Sequence, residues 1–213
     1  MATVDFPRAC LGKPLSLIGA GANASILDAT GFPNGILVDG LHFPGLRRVS
    51  ISGFTVTNAL YEGVLLINTA DATIRANSIV NNDQEGPVYG SGPGCKGQPA
   101  YETDESGDCG GGLHLMGVVN SIVESNNLSQ NGDGVPISDE TAESYGNLIV
   151  QNTVTYNALD CGIVLASHPP MGSVAPHFAP HHGVDNNTVA SNYSSYNGLT
   201  TSGGSGVGIF SDG

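Results

Sequence analysis

The residues best placed to do chemistry are Glu140, His168 and Asp212, which fall in one column when the chain is aligned on a recurring Gly-apolar-x-apolar phrase. The column occupies the seventh position of the phrase and reads Leu41, Thr69, Val118, Glu140, His168, Asp212. Neighbouring parallel strands lie about 4.8 Å apart, so an acid, an imidazole and a second acid would come within proton-transfer reach of each other. A histidine between two carboxylates has its charged form favoured, which makes it a candidate general acid. In this reading Glu140 and His168 are the catalytic acid–base pair and Asp212 orients His168. Ser138 at the fifth position, Asp139 at the sixth and the outward-facing His114 would contact substrate. On a solvated face the same residues would do no more than keep the chain soluble.

Two further groups suit metals. His177, His181 and His182 stand in the phrase Pro-His-Phe-Ala-Pro-His-His-Gly, imidazoles of the kind that bind transition metals, although the prolines argue against a helix that would bring them together. Asp104, Glu105 and Asp108, with Glu102, crowd a second segment with the oxygen ligands calcium takes, but without the fixed spacing of a calcium loop. Calcium is the cofactor this cluster would accept, and a plain solvated loop is the alternative. Cys161 and His168 would be roughly 20 Å apart along an extended strand, too far for a thiol–imidazole pair. Cys161 therefore reads as a packed turn residue. Cys95 and Cys109 share a Gly-rich segment and could be bridged, or all four cysteines could be free thiols.

The elements that would position these residues come from a repeat. The phrase recurs as Gly35-Ile-Leu-Val, Gly63-Val-Leu-Leu, Gly112-Leu-His-Leu, Gly134-Val-Pro-Ile, Gly162-Ile-Val-Leu and Gly206-Val-Gly-Ile. Its second and fourth residues are always Ile, Leu or Val, the period of a strand with one buried face, and its third varies and must point outward. A second short strand is expected at Val49 to Ile51, Thr73-Ile74, Ser121 to Val123, Leu148 to Val150 and Thr188-Val189, and a third is expected to centre on Thr55, Ile79, Leu128, Val154 and Ser194. The third strand lies in an Asn-x-apolar-x-x-Asn phrase that runs from Asn77 to Asn82, Asn126 to Asn131, Asn152 to Asn157 and Asn192 to Asn197, with Gly53 to Asn58 as a variant. Spacings of 24 residues from Gly53 to Asn77 and 26 from Asn126 to Asn152 suit one turn of a three-sided parallel coil. Stacked asparagine amides would satisfy backbone groups at the corners. The prediction is a single all-β domain over residues 1–213 with three short strands per turn and about seven turns. Residues 1–14 form a lead-in, two long insertions span 83–111 and 169–187, and both ends are expected to be cut. The insertions would wall opposite ends of one strand face and make it a groove.

Composition narrows the partners. Six Lys plus Arg against 19 Asp plus Glu give a formal charge of −13, which repels phosphate backbones and argues against nucleic acid. It also disfavours a polyuronate unless divalent cations bridge it. No segment approaches the roughly 20 apolar residues of a membrane span, and residues 1–11 lack the pattern of an export signal.

With this repeat the chain resembles the right-handed parallel β-helix proteins, the broad pectate-lyase-like group, over residues 15–213. The resemblance implies a solenoid whose surface suits carbohydrate. Polygalacturonases would bring Asn-Thr-Asp, Asp-Asp and Gly-His-Gly, and none occurs here. Alginate epimerases carry Asp-Pro-His, to which the nearest phrase is His168-Pro169-Pro170. Pectate lyases use a catalytic Arg or Lys, whereas every Arg and Lys of this chain precedes the most polar rungs. The expected function is binding or cleavage, by a lyase or hydrolase route, of a neutral or weakly charged polysaccharide or oligosaccharide by a secreted, periplasmic or envelope protein. The alternatives are a non-catalytic surface or scaffold module and a metal-binding periplasmic β-helix module.

Overall fold

A computed structural model describes residues 9–84, 110–159, 161–167, 183–198 and 206–211. These residues form three parallel sheets that the chain visits in rotation, one strand per sheet per turn. The first sheet has seven strands: Ala9–Leu11, Ile36–Asp39, Val64–Ile67, Leu113–Met116, Val135–Ser138, Ile163–Ser167 and Val207–Ser211. The second has six: Ser16–Ile18, Ser50–Ser52, Thr73–Arg75, Ile122–Glu124, Leu148–Val150 and Thr188–Ala190. Ile26–Asp28, Thr55–Thr57, Ser78–Val80, Asn127–Ser129, Thr153–Thr155 and Tyr193–Ser195 make the third. No helix occurs among the described residues. The expected three-sided coil of about seven turns is the observed fold.

Alternation explains what fills the coil. Ile36 and Val38, Val64 and Leu66, Leu113 and Leu115, Val135 and Ile137, and Ile163 and Leu165 point inward from the first sheet. They meet Ile51, Ile74, Val123 and Ile149 from the second sheet and Val56, Ile79, Leu128 and Val154 from the third. Each such side chain contributes about 1.5–3 kcal/mol by leaving water. The stacked aliphatic columns are thus the main source of stability.

The corners share a pattern: a residue with positive φ, followed in most turns by an Asn or Ser whose side chain bonds the neighbouring turn. Between the second and third sheets the left-handed residues are Gly53, Ala76, Ser125, Gln151 and Ser191. The residues after them include Asn77, Asn126, Asn152 and Asn192. Asn126 Oδ1 accepts from both N and Nδ2 of Asn77, at 3.0 and 3.1 Å, and Asn126 in turn donates to Asn152 Oδ1. A second ladder runs through Asn82, Asn131, Asn157 and Asn197. A third, which the repeated phrase does not contain, runs through Ser121, Asn147 and Asn187 at the remaining corner.

The register at Gly53 and the bound of the second insertion differ from the sequence expectation. The variant phrase beginning at Gly53 is one residue out of register: Val56, not Thr55, pairs with Ile79. Phe54 takes the place of the first asparagine and Ala59 that of the last, each donating its N–H to the asparagine of the next turn. A one-residue slip exchanges the faces of a strand, so burial of Val56 decides the matter. Residues 184–187 also belong to the coil and not to an insertion, because Val184–Asp185 pairs with Ser144–Tyr145 and Asn187 joins the third ladder.

Gly63, Gly112, Gly134 and Gly162, each opening a core strand, sit where the first sheet's corner closes on the asparagine ladder. A Cβ added to Gly134 would fall far inside contact distance of both the Gly162 carbonyl oxygen and Val154 Cγ1. A backbone carbonyl held in a sheet cannot give way to it. Gly134→Ala is therefore expected to lose about 3 kcal/mol in urea unfolding, whereas Gly206→Ala, where the added carbon meets nothing among the described residues, should stay within about 0.5 kcal/mol of wild type.

Candidate active site

The outer face of the first sheet carries a buried polar chain that crosses three successive turns. Glu62 precedes the strand Val64–Ile67, His114 is the outward third residue of its phrase, and Ser138 ends the strand Val135–Ser138. Strand register places His114 opposite Leu65 on one side, and Met116 opposite Ser138 on the other. The imidazole thus lies diagonally between Glu62 of the turn before and Ser138 of the turn after.

Its contacts are short. His114 Nδ1 lies 2.8 Å from Glu62 Oε1, and His114 Nε2 lies 2.8 Å from Ser138 Oγ. Ser138 Oγ is in turn 2.7 Å from Glu140 Oε2, which stands 3.7 Å from Nε2. Glu62 Oε2 accepts the Gly111 N–H at 2.7 Å. All four side chains are buried: residue exposures are 1% for Glu62, 8% for His114, 3% for Ser138 and 6% for Glu140. An outward-facing apolar cluster of Leu37, Leu65, Ile67 and Met116 lies alongside and keeps the surroundings poorly polarisable.

Ser138 has one hydroxyl proton and lies between two acceptors. With His114 charged, Nε2–H donates to Oγ and the hydroxyl donates to a Glu140 carboxylate. With His114 neutral, the hydroxyl donates to Nε2 and a protonated Glu140 donates to Oγ. The two arrangements hold the same number of protons, and a shift of two protons through Ser138 interconverts them. In both, an Nδ1–H would donate to Glu62 Oε1.

Local backbone features shape the site. Pro136 lies opposite His114 and has no N–H, so pairing of its strand with the preceding one is reduced to Leu115–Ile137 and Met116–Ser138. After Ser138 the chain makes an added turn before the second sheet. Ser144 Oγ donates to the Ser138 carbonyl at 2.6 Å and accepts the Val118 N–H at 3.0 Å. Val118 therefore meets Ser144 and not Glu140, which corrects the expected column at that step. Glu140 is placed by the turn and by Ser138.

Of the residues singled out by sequence, His114, Ser138 and Glu140 come together. Asp139 is fully buried and accepts a hydrogen bond from Ser167 Oγ at 2.9 Å. His168, Asp212, His177, His181, His182, Asp104, Glu105, Asp108, Cys95 and Cys109 lie outside the described residues. Among the described residues no group of three or more His, Cys, Asp or Glu is arranged to hold a metal ion, and neither Cys10 nor Cys161 is part of a disulfide. Sequence reasoning missed Glu62. Its one signal is its place directly before a core-strand glycine, a position held elsewhere by Asn34, Gly111, Asp133, Cys161 and Ser205.

A family model described as right handed beta helix region matches residues 34–212. The chain belongs to this right-handed β-helix family. No curated protein and no solved structure matches it. Right-handed β-helix proteins are often carbohydrate-active, and membership extends no further than that breadth.

Proposed function

We propose that this chain is a carbohydrate-active β-helix protein that binds and chemically modifies a neutral or weakly charged polysaccharide on the outer face of its first sheet. The observation that carries the reading is the unbroken chain Glu62–His114–Ser138–Glu140, with every link between 2.7 and 2.8 Å. Such a chain delivers and removes a proton at one spot, which both hydrolysis and elimination of a sugar linkage require. His114 and Glu140 are its acid–base pair, because Glu62 has both oxygens engaged by protein donors. The charge of −13 favours neutral glycans over polyuronates.

The test is incubation with a panel of plant and bacterial glycans, scoring binding, reducing ends and absorbance of unsaturated products. Glu140→Gln and His114→Ala should each slow turnover by about 100-fold to 10,000-fold while glycan binding survives. A second reading, a non-catalytic scaffold, draws on the 3% exposure of Ser138, since a closed polar network can serve packing alone. It would be upheld by wild-type binding without turnover, unchanged in both variants. Neither binding nor turnover on any glycan would sink the carbohydrate reading itself.

A further inference from the structure

We infer that Ser138 is a nucleophile and that the site hydrolyses acyl esters, of which O-acetyl groups on a neutral polysaccharide are the fitting class. The sugar part of the substrate rests on the carbohydrate reading above, but the chemistry rests on the geometry alone. Three groups stand in the order a serine hydrolase needs: hydroxyl, imidazole and carboxylate. Ser138 Oγ is 2.8 Å from His114 Nε2, and His114 Nδ1 is 2.8 Å from Glu62 Oε1. The carboxylate holds the imidazole in the tautomer that makes Nε2 the proton acceptor.

Glu62 decides between this chemistry and cleavage of a glycosidic bond by paired carboxylates. Carboxylates that flank a sugar linkage must both reach it. Glu62 is 1% exposed, with Oε1 on His114 and Oε2 on the Gly111 N–H, so it can act only through the imidazole. It is a positioning residue, buried behind His114 as an orienting carboxylate should be. Glu140 Oε2, 2.7 Å from Oγ, is the hydroxyl's other partner, and the reactive arrangement is the one in which the Ser138 hydroxyl turns to Nε2.

The reaction balances with water as the only co-reactant. Ser138 Oγ bonds to the ester carbonyl carbon as its proton passes to His114 Nε2. The imidazolium, held by Glu62, gives that proton to the sugar oxygen as the carbon–oxygen bond breaks, freeing the sugar hydroxyl. Water then attacks the acyl-serine, its proton going to Nε2 and from there to Oγ, and the carboxylic acid departs. The acyl group approaches along the edge of the His114 side chain, which keeps 10% exposure.

The full chain is treated with a fluorophosphonate probe and mapped by peptide mass, and hydrolysis of p-nitrophenyl acetate and acetate release from acetylated xylan are followed alongside. One probe adduct per chain is expected, on Ser138. Ser138→Ala should abolish labelling and lower ester turnover at least ~1,000-fold, and His114→Ala should lower both at least ~100-fold. Glu62→Gln should reduce kcat about 100-fold with KM unchanged, a split that loss of packing alone would not give. Circular dichroism on each variant separates unfolding from lost chemistry. No adduct and no ester hydrolysis by the folded wild-type chain would overturn the inference, even if glycans are bound or cleaved. Hydrolysis of p-nitrophenyl acetate with no affinity for any glycan would uphold the nucleophile and remove the sugar substrate.

Discussion

Asn131→Ala should destabilise the chain by about 4 kcal/mol, one of the largest effects available from a single polar side chain in this fold. Asn131 is fully buried in the middle of its ladder. Its Oδ1 accepts from Asn82 N at 3.0 Å and from Asn82 Nδ2 at 2.9 Å, while its Nδ2 donates to the Ile79 carbonyl at 3.0 Å. Truncation strands these three groups where water cannot replace the lost partner, and each costs about 1–3 kcal/mol when unmet. The control is Asn127→Ala, four residues away: Asn127 is exposed and its amide makes one long bond, 3.4 Å to Ser78 Oγ. That variant should stay within about 0.5 kcal/mol of wild type. Urea unfolding of both reads the difference, and a loss below about 1 kcal/mol for Asn131→Ala would mean that the aliphatic columns hold the coil without help from the amides.

His114→Leu is expected to cost about 3–5 kcal/mol, because it leaves Glu62 and Glu140 buried without the imidazole between them. The informative comparison is the triple variant His114→Leu, Glu62→Gln, Glu140→Leu. The amide that replaces the Glu62 carboxylate would still accept the Gly111 N–H, and the buried charges would be gone. Replacing a buried ionic set by uncharged residues of similar volume is often neutral, so the triple variant should recover to within about 1–2 kcal/mol of wild type. It should have no turnover. Recovery of stability without activity would show that the four residues are held for chemistry, since the outer face accepts apolar neighbours such as Leu37, Leu65 and Ile67 elsewhere. A triple variant as unstable as the single one would instead make the network a structural necessity of this face.

The coil is legible in the sequence because its signal is local: two aliphatic residues flank each outward position, and the pattern recurs with every core strand. The slip at Gly53 has a physical cause. Phe54 and Ala59 stand on a turn that needs only to donate a backbone N–H to the asparagine above it, so no amide is required there and the phrase loses both of its markers. The third ladder is hidden for a similar reason, since it includes a serine, Ser121, and is not flanked by the same apolar phrase. The site is legible in pieces. His114, Ser138 and Glu140 stand out as polar residues near core strands, but extending strand register past Ser138 joins Glu140 to the wrong neighbour, because the chain makes an added turn there. Glu62 cannot be paired with His114 from sequence, for 52 positions separate them and an insertion lies between.

The asparagine ladders have a direction. In all three, the Oδ1 of an amide accepts from the turn before it, while Nδ2 donates to the amide of the turn after it. Strand dipoles run along the strands, across the coil axis, whereas these side-chain dipoles all point the same way along it, and hydrogen bonds in such rows polarise one another. Each corner of the coil thus carries a row of hydrogen bonds with one direction along the axis. The coil's turns add in a fixed sense: each new turn presents acceptors to the donors already exposed by the last. A turn taken from elsewhere in the coil can be inserted in the same orientation without breaking that sequence of donors and acceptors, but one docked in the opposite sense would set donor against donor at every corner.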